Sequence, residues 1–158
     1  MLDLQGKTVL VTGASRGIGA AIAGQAAKAG ARVLVHASSP GAAIEAVAAS
    51  IGAPASDVIC EDLSLADAGF RLFDRALGAS GKIDGVVNNA GIYIESFLGG
   101  ARADWTASWM KTHAVNVQAP ADVCHAAIDH FRETGGGIVV NVASRAGHRG
   151  DSIDGAAY

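Results

Sequence analysis

Thr12-Gly13-Ala14-Ser15-Arg16-Gly17-Ile18-Gly19 lies between two segments of opposite character. Before it, Lys7-Thr8-Val9-Leu10-Val11 is a short apolar, β-branched run, the pattern of a strand buried on both faces. After it, Ile18, Ile22, Ala26 and Ala29 recur at helical spacing in an alanine-rich segment of high helix propensity. The glycines therefore stand where a strand turns directly into a helix. Gly13 permits a tight turn, Gly17 lets the backbone approach a ligand, and Gly19 lets the helix pack against the strand. The unpaired N–H groups of the helix start, at the positive end of its dipole, suit a pyrophosphate.

Working outward, the chain repeats this alternation. Strands are expected at Ala31–Val35, Asp57–Cys60, Ile83–Val87 and Ile138–Val142. Helices are expected from Ser38-Ser39-Pro40 to about Ile51, from a Ser64/Asp67 capping pair to Gly78–Gly81, and from about Asp104 to Phe131. Strands alternating with helices, without hairpin signals, predict an α/β fold with a doubly wound parallel sheet of five strands. With a dinucleotide-type glycine loop after the first strand, the Rossmann-type order 3-2-1-4-5 is the expectation. The strands end in small or polar groups: Thr12-Gly13, His36, Asp62, Asn88-Asn89 and Ala143-Ser144. In such a sheet the ligand crevice lies outside the carboxyl ends of the strands, so these groups converge on one site.

Bulk properties narrow the function. At 158 residues, with half of them hydrophobic and 17% charged, the sequence suffices for one domain with a sizeable core. A net charge of -3, with no basic stretch or aromatic interleaving, gives no support to nucleic-acid binding. No apolar run approaches membrane-spanning length, and no signal core follows the N-terminus. Cys60 and Cys124 lack metal-ligand spacing, so buried thiols in a reducing compartment are expected, with no metal site. His125 and His130 read as surface residues, and His113 as an ordinary helix-face histidine. A cytoplasmic protein is the natural expectation.

The glycine spacing, G-x-x-x-G-x-G after a threonine, differs from the G-x-G-x-x-G of many dinucleotide sites. In this it resembles the classical short-chain dehydrogenase/reductase family, and Asn88-Asn89-Ala90-Gly91 matches that family's Asn-Asn-Ala-Gly motif. The resemblance implies cofactor contacts from Gly13, Ser15, Arg16, Gly17, Ile18, Gly19, Ser38, Asn89, Ala90 and Gly91. Asp62 and Leu63 match a pair that contacts adenine in the family; a simple helix-entry aspartate explains Asp62 equally well. A site preferring NAD carries an acid at the end of the second strand. Here that position is Ala37, beside His36, Ser38 and Ser39. Arg16, within the glycine loop, is placed to pair with a 2′-phosphate, its alternative being a solvated loop charge. NADP is thus expected, with NAD the poorer cofactor.

Family catalysis uses an Asn-Ser-Tyr-Lys tetrad, and the resemblance assigns Asn116, Ser144 and Tyr158. Tyr158 follows Ser144 by fourteen positions, close to the family spacing. An asparagine inside a helix is a mild local cost, which points to a purpose beyond propensity. The lysine belongs four residues after the tyrosine, one helical turn on, past the last residue of this sequence. The expectation is therefore one dinucleotide-binding domain over residues 1–158, incomplete on its C-terminal side and truncated just after the tyrosine. The family reading is an NADP(H)-dependent enzyme moving hydride between a small-molecule carbonyl and a secondary alcohol, and a homo-oligomer (dimer or tetramer) when complete. Little activity is expected of the 158-residue form. The alternative is a non-catalytic dinucleotide-binding fragment or regulatory module. No membrane or nucleic-acid partner is expected.

Overall fold

A computed structural model describes residues 3–150. Its strands are β1 (Thr8–Val11), β2 (Arg32–Ala37), β3 (Val58–Cys60), β4 (Gly85–Asn88) and β5 (Ile138–Asn141). They form one parallel sheet in the order β3-β2-β1-β4-β5, the expected order. The helices are α1 (Gly17–Lys28), α2 (Ala42–Ser50), α3 (Ala68–Ser80), α4 (Arg102–His113), α5 (Ala119–Thr134) and the short α6 (Ala146–Arg149).

The period of two along each strand divides the core into two layers. Leu10, flanked in register by Leu34 and Val86, points into a cluster with Leu72, Phe73, Val123 and Phe131 of α3 and α5. Val11, Val33 and Val35 point the other way, against Ala23 and Ala26 of α1 and Ile44 and Ala48 of α2. Helices on both faces leave β1 and β2 sealed from water, which is why their sequences are continuously apolar. On β5 only Val139 packs against the core; Ile138 and Val140 are exposed.

Two carboxylates, Asp57 and Asp84, tie the amino ends of the strands through ion pairs. Arg32 grips the buried carboxylate of Asp57 with two hydrogen bonds, at 2.9 and 2.6 Å. Asp84 accepts the Thr8 amide at 2.9 Å and faces Lys7 and Lys82. Burial pushes the Asp84 carboxyl upward, but the Lys82 ammonium, the Thr8 amide and the Lys7 ammonium together hold it below the ordinary carboxylate range.

Several local expectations change. The stripe α1 buries is Gly19, Ala23 and Ala26, while Ile18 is exposed. The Ser38-Ser39-Pro40 segment does not cap α2, which starts after Gly41 without a side-chain cap. Likewise Ser64 does not cap α3: Asp62 accepts the Ser64 amide and hydroxyl in a local turn, and Asp67 precedes α3 in left-handed backbone, φ 56°. His130 is half-buried and accepts the Ile83 amide at 3.3 Å. Cys60 and Cys124 are half-buried free thiols.

The largest departure is the long helix, expected to run unbroken from about Asp104 to Phe131. Between α4 and α5 the residues Ala114–Gln118 wind as a π-helical turn. Pro120 has no N–H to give the carbonyl of Asn116 four residues back, so the α-helical bond cannot form there and the turn widens.

Candidate functional site

The carboxyl ends of the strands open onto a cavity of about 470 Å³. Its floor is the glycine loop joining β1 to α1. Gly13 has φ +63°, and a Cβ there would stand 2.8 Å from the Cα of Ala90, so the turn and the packing both require glycine. A Cβ on Gly19 would collide with the Gly13 carbonyl and the Asn89 amide, which is how α1 comes close to the strand ends. Gly17, at φ +56°, has open space where its Cβ would be. The loop presents Ser15, Arg16, Gly17, Ile18 and Gly19 to the cavity. Arg16, extended at φ -164°, precedes α1, and no side chain caps the helix. The first N–H groups of α1 are thus free of capping side chains at the positive end of the helix.

The loop is held in place from the neighbouring strands. Thr12, almost fully buried, accepts the amides of Asn89 and Ala90 through Oγ1, both at 2.9 Å. Asn89 returns its side-chain N–H groups to the carbonyls of Thr12 (2.9 Å) and Gly13 (3.1 Å). Asn89, Ala90 and Gly91 then form the wall beyond β4. From β2, His36 meets the loop twice: its Nδ1 accepts the Gly13 amide at 3.1 Å and its carbonyl accepts the Ala14 amide at 2.8 Å. In the sequence His36 marks only a polar strand end. A histidine closing an otherwise apolar strand, next to a glycine turn in space, carries no local signature of that contact.

The remaining wall comes from Ala37 and Ser38 after β2, Asp62 and Leu63 after β3, and Lys111 and Val115 from α4 and the π turn. Leu63 is buried and Asp62 exposed. The Asp62 carboxyl is held below its ordinary range, first by the Ser64 amide and then by the Ser64 hydroxyl. A second, smaller cleft adjoins, lined by Arg16, Ser38, Ser39 and the start of α2. No carboxylate lines it, and the charged residue in its lining is Arg16. Lys111 belongs to no motif that marks it for this wall in the sequence.

All twelve residues expected to contact cofactor thus line one cavity. Of the residues expected to be catalytic, Asn116 and Ser144 are not among those lining it. Asn116, in the π turn, brackets Ile92: its Oδ1 accepts the Ile92 amide at 2.8 Å and its Nδ2 donates to the Ile92 carbonyl at 2.9 Å. This pins the segment following Gly91 to the long helix, the purpose that a mid-helix asparagine called for. Ser144 follows β5, and its Oγ accepts the Ala146 amide at 3.1 Å. Tyr158 lies outside the described residues. Among the described residues, no group of His, Cys, Asp and Glu is arranged to hold a metal, and no helix is long and apolar enough to cross a membrane.

Comparison with known proteins agrees with this geometry. A family model described as short chain dehydrogenase matches residues 7–158. The chain is 35% identical over 147 residues to 3beta-hydroxysteroid dehydrogenase 1 of Eggerthella lenta, covering 90% of this chain and 54% of that protein. It is 38% identical over 144 residues to D-threitol dehydrogenase of Mycolicibacterium smegmatis, again covering 90% and 54%. The crystal structure of a 3-oxoacyl (acyl-carrier-protein) reductase from Agrobacterium tumefaciens C58 with NADP bound superposes with a TM-score of 0.86 at 34% identity, over 99% of this chain and 59% of that one. A metagenomic short-chain oxidoreductase in complex with NADP superposes with a TM-score of 0.83 at 36% identity, over 98% and 68%. The chain spans about half the length of these curated relatives.

Proposed function

The chain belongs to the short-chain dehydrogenase/reductase family, and on that premise we propose that it binds NADP(H) at its glycine loop and serves hydride transfer between a carbonyl and a secondary alcohol. The observation that carries this reading is the cavity at the carboxyl ends of β1, β2 and β4. Its floor is glycine backbone and a helix start, and its far end has Arg16 and Ser38 where an NAD site would carry an acid. That donor set suits the cofactor. The first turn of α1 would receive the pyrophosphate, Asp62 and Leu63 would flank the adenine, and Arg16 would pair with the 2′-phosphate. The relatives crystallised with NADP support the same choice.

When bound, nicotinamide supplies or accepts the hydride. The chain's own residues position and polarise. Ser144 uses a lone pair on the Ala146 amide, which leaves its hydroxyl proton to donate to a substrate oxygen. Tyr158 would give that oxygen its proton, or take it in the reverse direction. Asn116 acts at one remove, fixing Ile92 and the loop beyond Gly91. Substrate is a small carbonyl or alcohol compound.

The outer face of α4, the π turn and α5 exposes Trp109, Met110, Val117 and Ile128. This apolar face supports a homo-oligomeric protein, and a cytoplasmic location accords with the two unpaired thiols. The test of the function is NADPH-dependent reduction of a panel of ketones by the full-length protein. Turnover that Ser144→Ala and Tyr158→Phe each reduce by about 10²-fold or more is expected. Unchanged turnover in both variants would overturn the assignment.

A further inference from the structure

The glycine loop is anchored to a side chain that titrates. His36 is 1% exposed and lies at the end of β2, with its two ring nitrogens engaged in opposite directions. Nε2 is 2.9 Å from the Glu61 carbonyl, which can only accept, so Nε2 carries the ring proton. Nδ1 must then be the bare nitrogen, and it is the atom that accepts the Gly13 amide. A second proton on the ring would set an N–H against the Gly13 N–H. Among the described residues His36 is the side-chain acceptor of the Gly13 amide, and the φ of +63° at Gly13 is what starts the loop.

We propose that His36 is the positioning residue for the dinucleotide loop, and that protonating Nδ1 releases Gly13 and so weakens dinucleotide binding. This rests on the reading of the cavity as a dinucleotide site. The surroundings favour the neutral ring. Burial disfavours the cation first of all; against that, the Glu61 carbonyl and carboxylate favour it, and Arg75 opposes it. The Glu61 carboxylate is itself occupied by Arg71 (2.7 Å) and Arg75 (3.1 Å) from α3. Across the cavity stand Arg16, Asp62 and Lys111, two cations to one anion. β1 and the buried face of α1 add no charged group toward the ring.

The test uses the full-length protein and NADP+, with affinity measured by calorimetry from pH 8 to pH 5. His36→Asn keeps an acceptor oxygen at the place of Nδ1 but cannot take a proton. His36→Gln reaches toward Glu61 instead and leaves Gly13 without its acceptor. Binding that excludes one proton steepens toward a tenfold rise in Kd per pH unit in the wild type. His36→Asn should show only the titration of the 2′-phosphate, near pH ~6, which it shares with the wild type. His36→Gln should bind weakly at every pH. Parallel pH profiles for wild type and His36→Asn, with His36→Gln as tight as either, would overturn the proposal. Amide exchange at Gly13 separates this from the cofactor reading, because it needs no nucleotide. Gly13 protection lost on acidification in the wild type and kept in His36→Asn supports the anchor, and equal loss in both overturns it. If the wild type fails to bind NADP+ at pH 8, the cofactor reading fails, and the exchange result still decides the role of His36 in the loop.

Discussion

Replacing Thr12 with valine removes one oxygen and almost no volume, which makes it a sharp probe of how the loop is held. Thr12 Oγ1 is the acceptor for two backbone amides, Asn89 and Ala90, each at 2.9 Å. Thr12 is 2% exposed, so water cannot readily take the place of the hydroxyl. An amide left unsatisfied in such a place costs about 1–3 kcal/mol. Two of them sum to roughly 2–6 kcal/mol, and relaxation of the Asn89 turn brings the expected loss to about 2–4 kcal/mol. Thr12→Ser keeps the acceptor and deletes only a methyl group, for a loss near ~1 kcal/mol. Urea unfolding at pH 7 measures both, provided the slope with denaturant stays constant. The refuting result is a valine variant no less stable than the serine variant. Dinucleotide affinity should fall with Thr12→Val as well, because Asn89 holds the Thr12 and Gly13 carbonyls from the same turn.

Arg16→Ala should weaken NADPH binding by about 1.5–3 kcal/mol, the worth of a charged hydrogen bond, and weaken NADH binding far less; parallel titrations check this. Asp57→Ala removes the buried partner of a half-exposed Arg32, so the loss should be about 1–3 kcal/mol in urea unfolding, below that of a fully buried pair. Acid should act in two stages in melting curves from pH 8 to pH 3. The unfolded chain protonates His36 near its ordinary 6.5 while the folded chain resists, so stability declines as pH falls below that value. The second stage comes from Asp84, whose folded pKa is depressed: its contribution is full above the ordinary 3.8 and is lost as pH falls through the folded value. His36→Asn should abolish the first stage only. Light scattering at micromolar concentration should find the full-length protein oligomeric, and Trp109→Glu, on the exposed α4 face, should shift it toward monomer.

The sheet was legible because β1 and β2 are buried on both faces and α1 and α2 are alanine-rich, so period and composition agree along that part of the chain. The glycine loop was legible for a narrower reason: Gly13 and Gly19 occupy positions where any Cβ would meet backbone or the Asn89 amide. What the sequence hid were interactions formed between strand ends. The Gly13–His36 bond joins residues 23 positions apart, and nothing near either residue announces it. Helical periodicity passes smoothly over the π turn at Ala114–Gln118, although Pro120 inside that run was a readable sign that the helix could not continue unchanged. The start of α2 was misread because serine and proline usually cap helices. Here Ser38, Ser39 and Pro40 line the smaller cleft instead.

The central claim is that the cavity above Gly13–Gly19 takes NADP(H) in preference to NAD(H). Side-by-side fluorescence titrations of the full-length protein with NADPH and NADH test it most directly. NADPH should bind tighter by about tenfold or more, the ratio that ~1.4 kcal/mol of phosphate recognition yields. Equal affinities, or tighter binding of NADH, would contradict the assignment of Arg16 and the acid-free end of β2 to the 2′-phosphate.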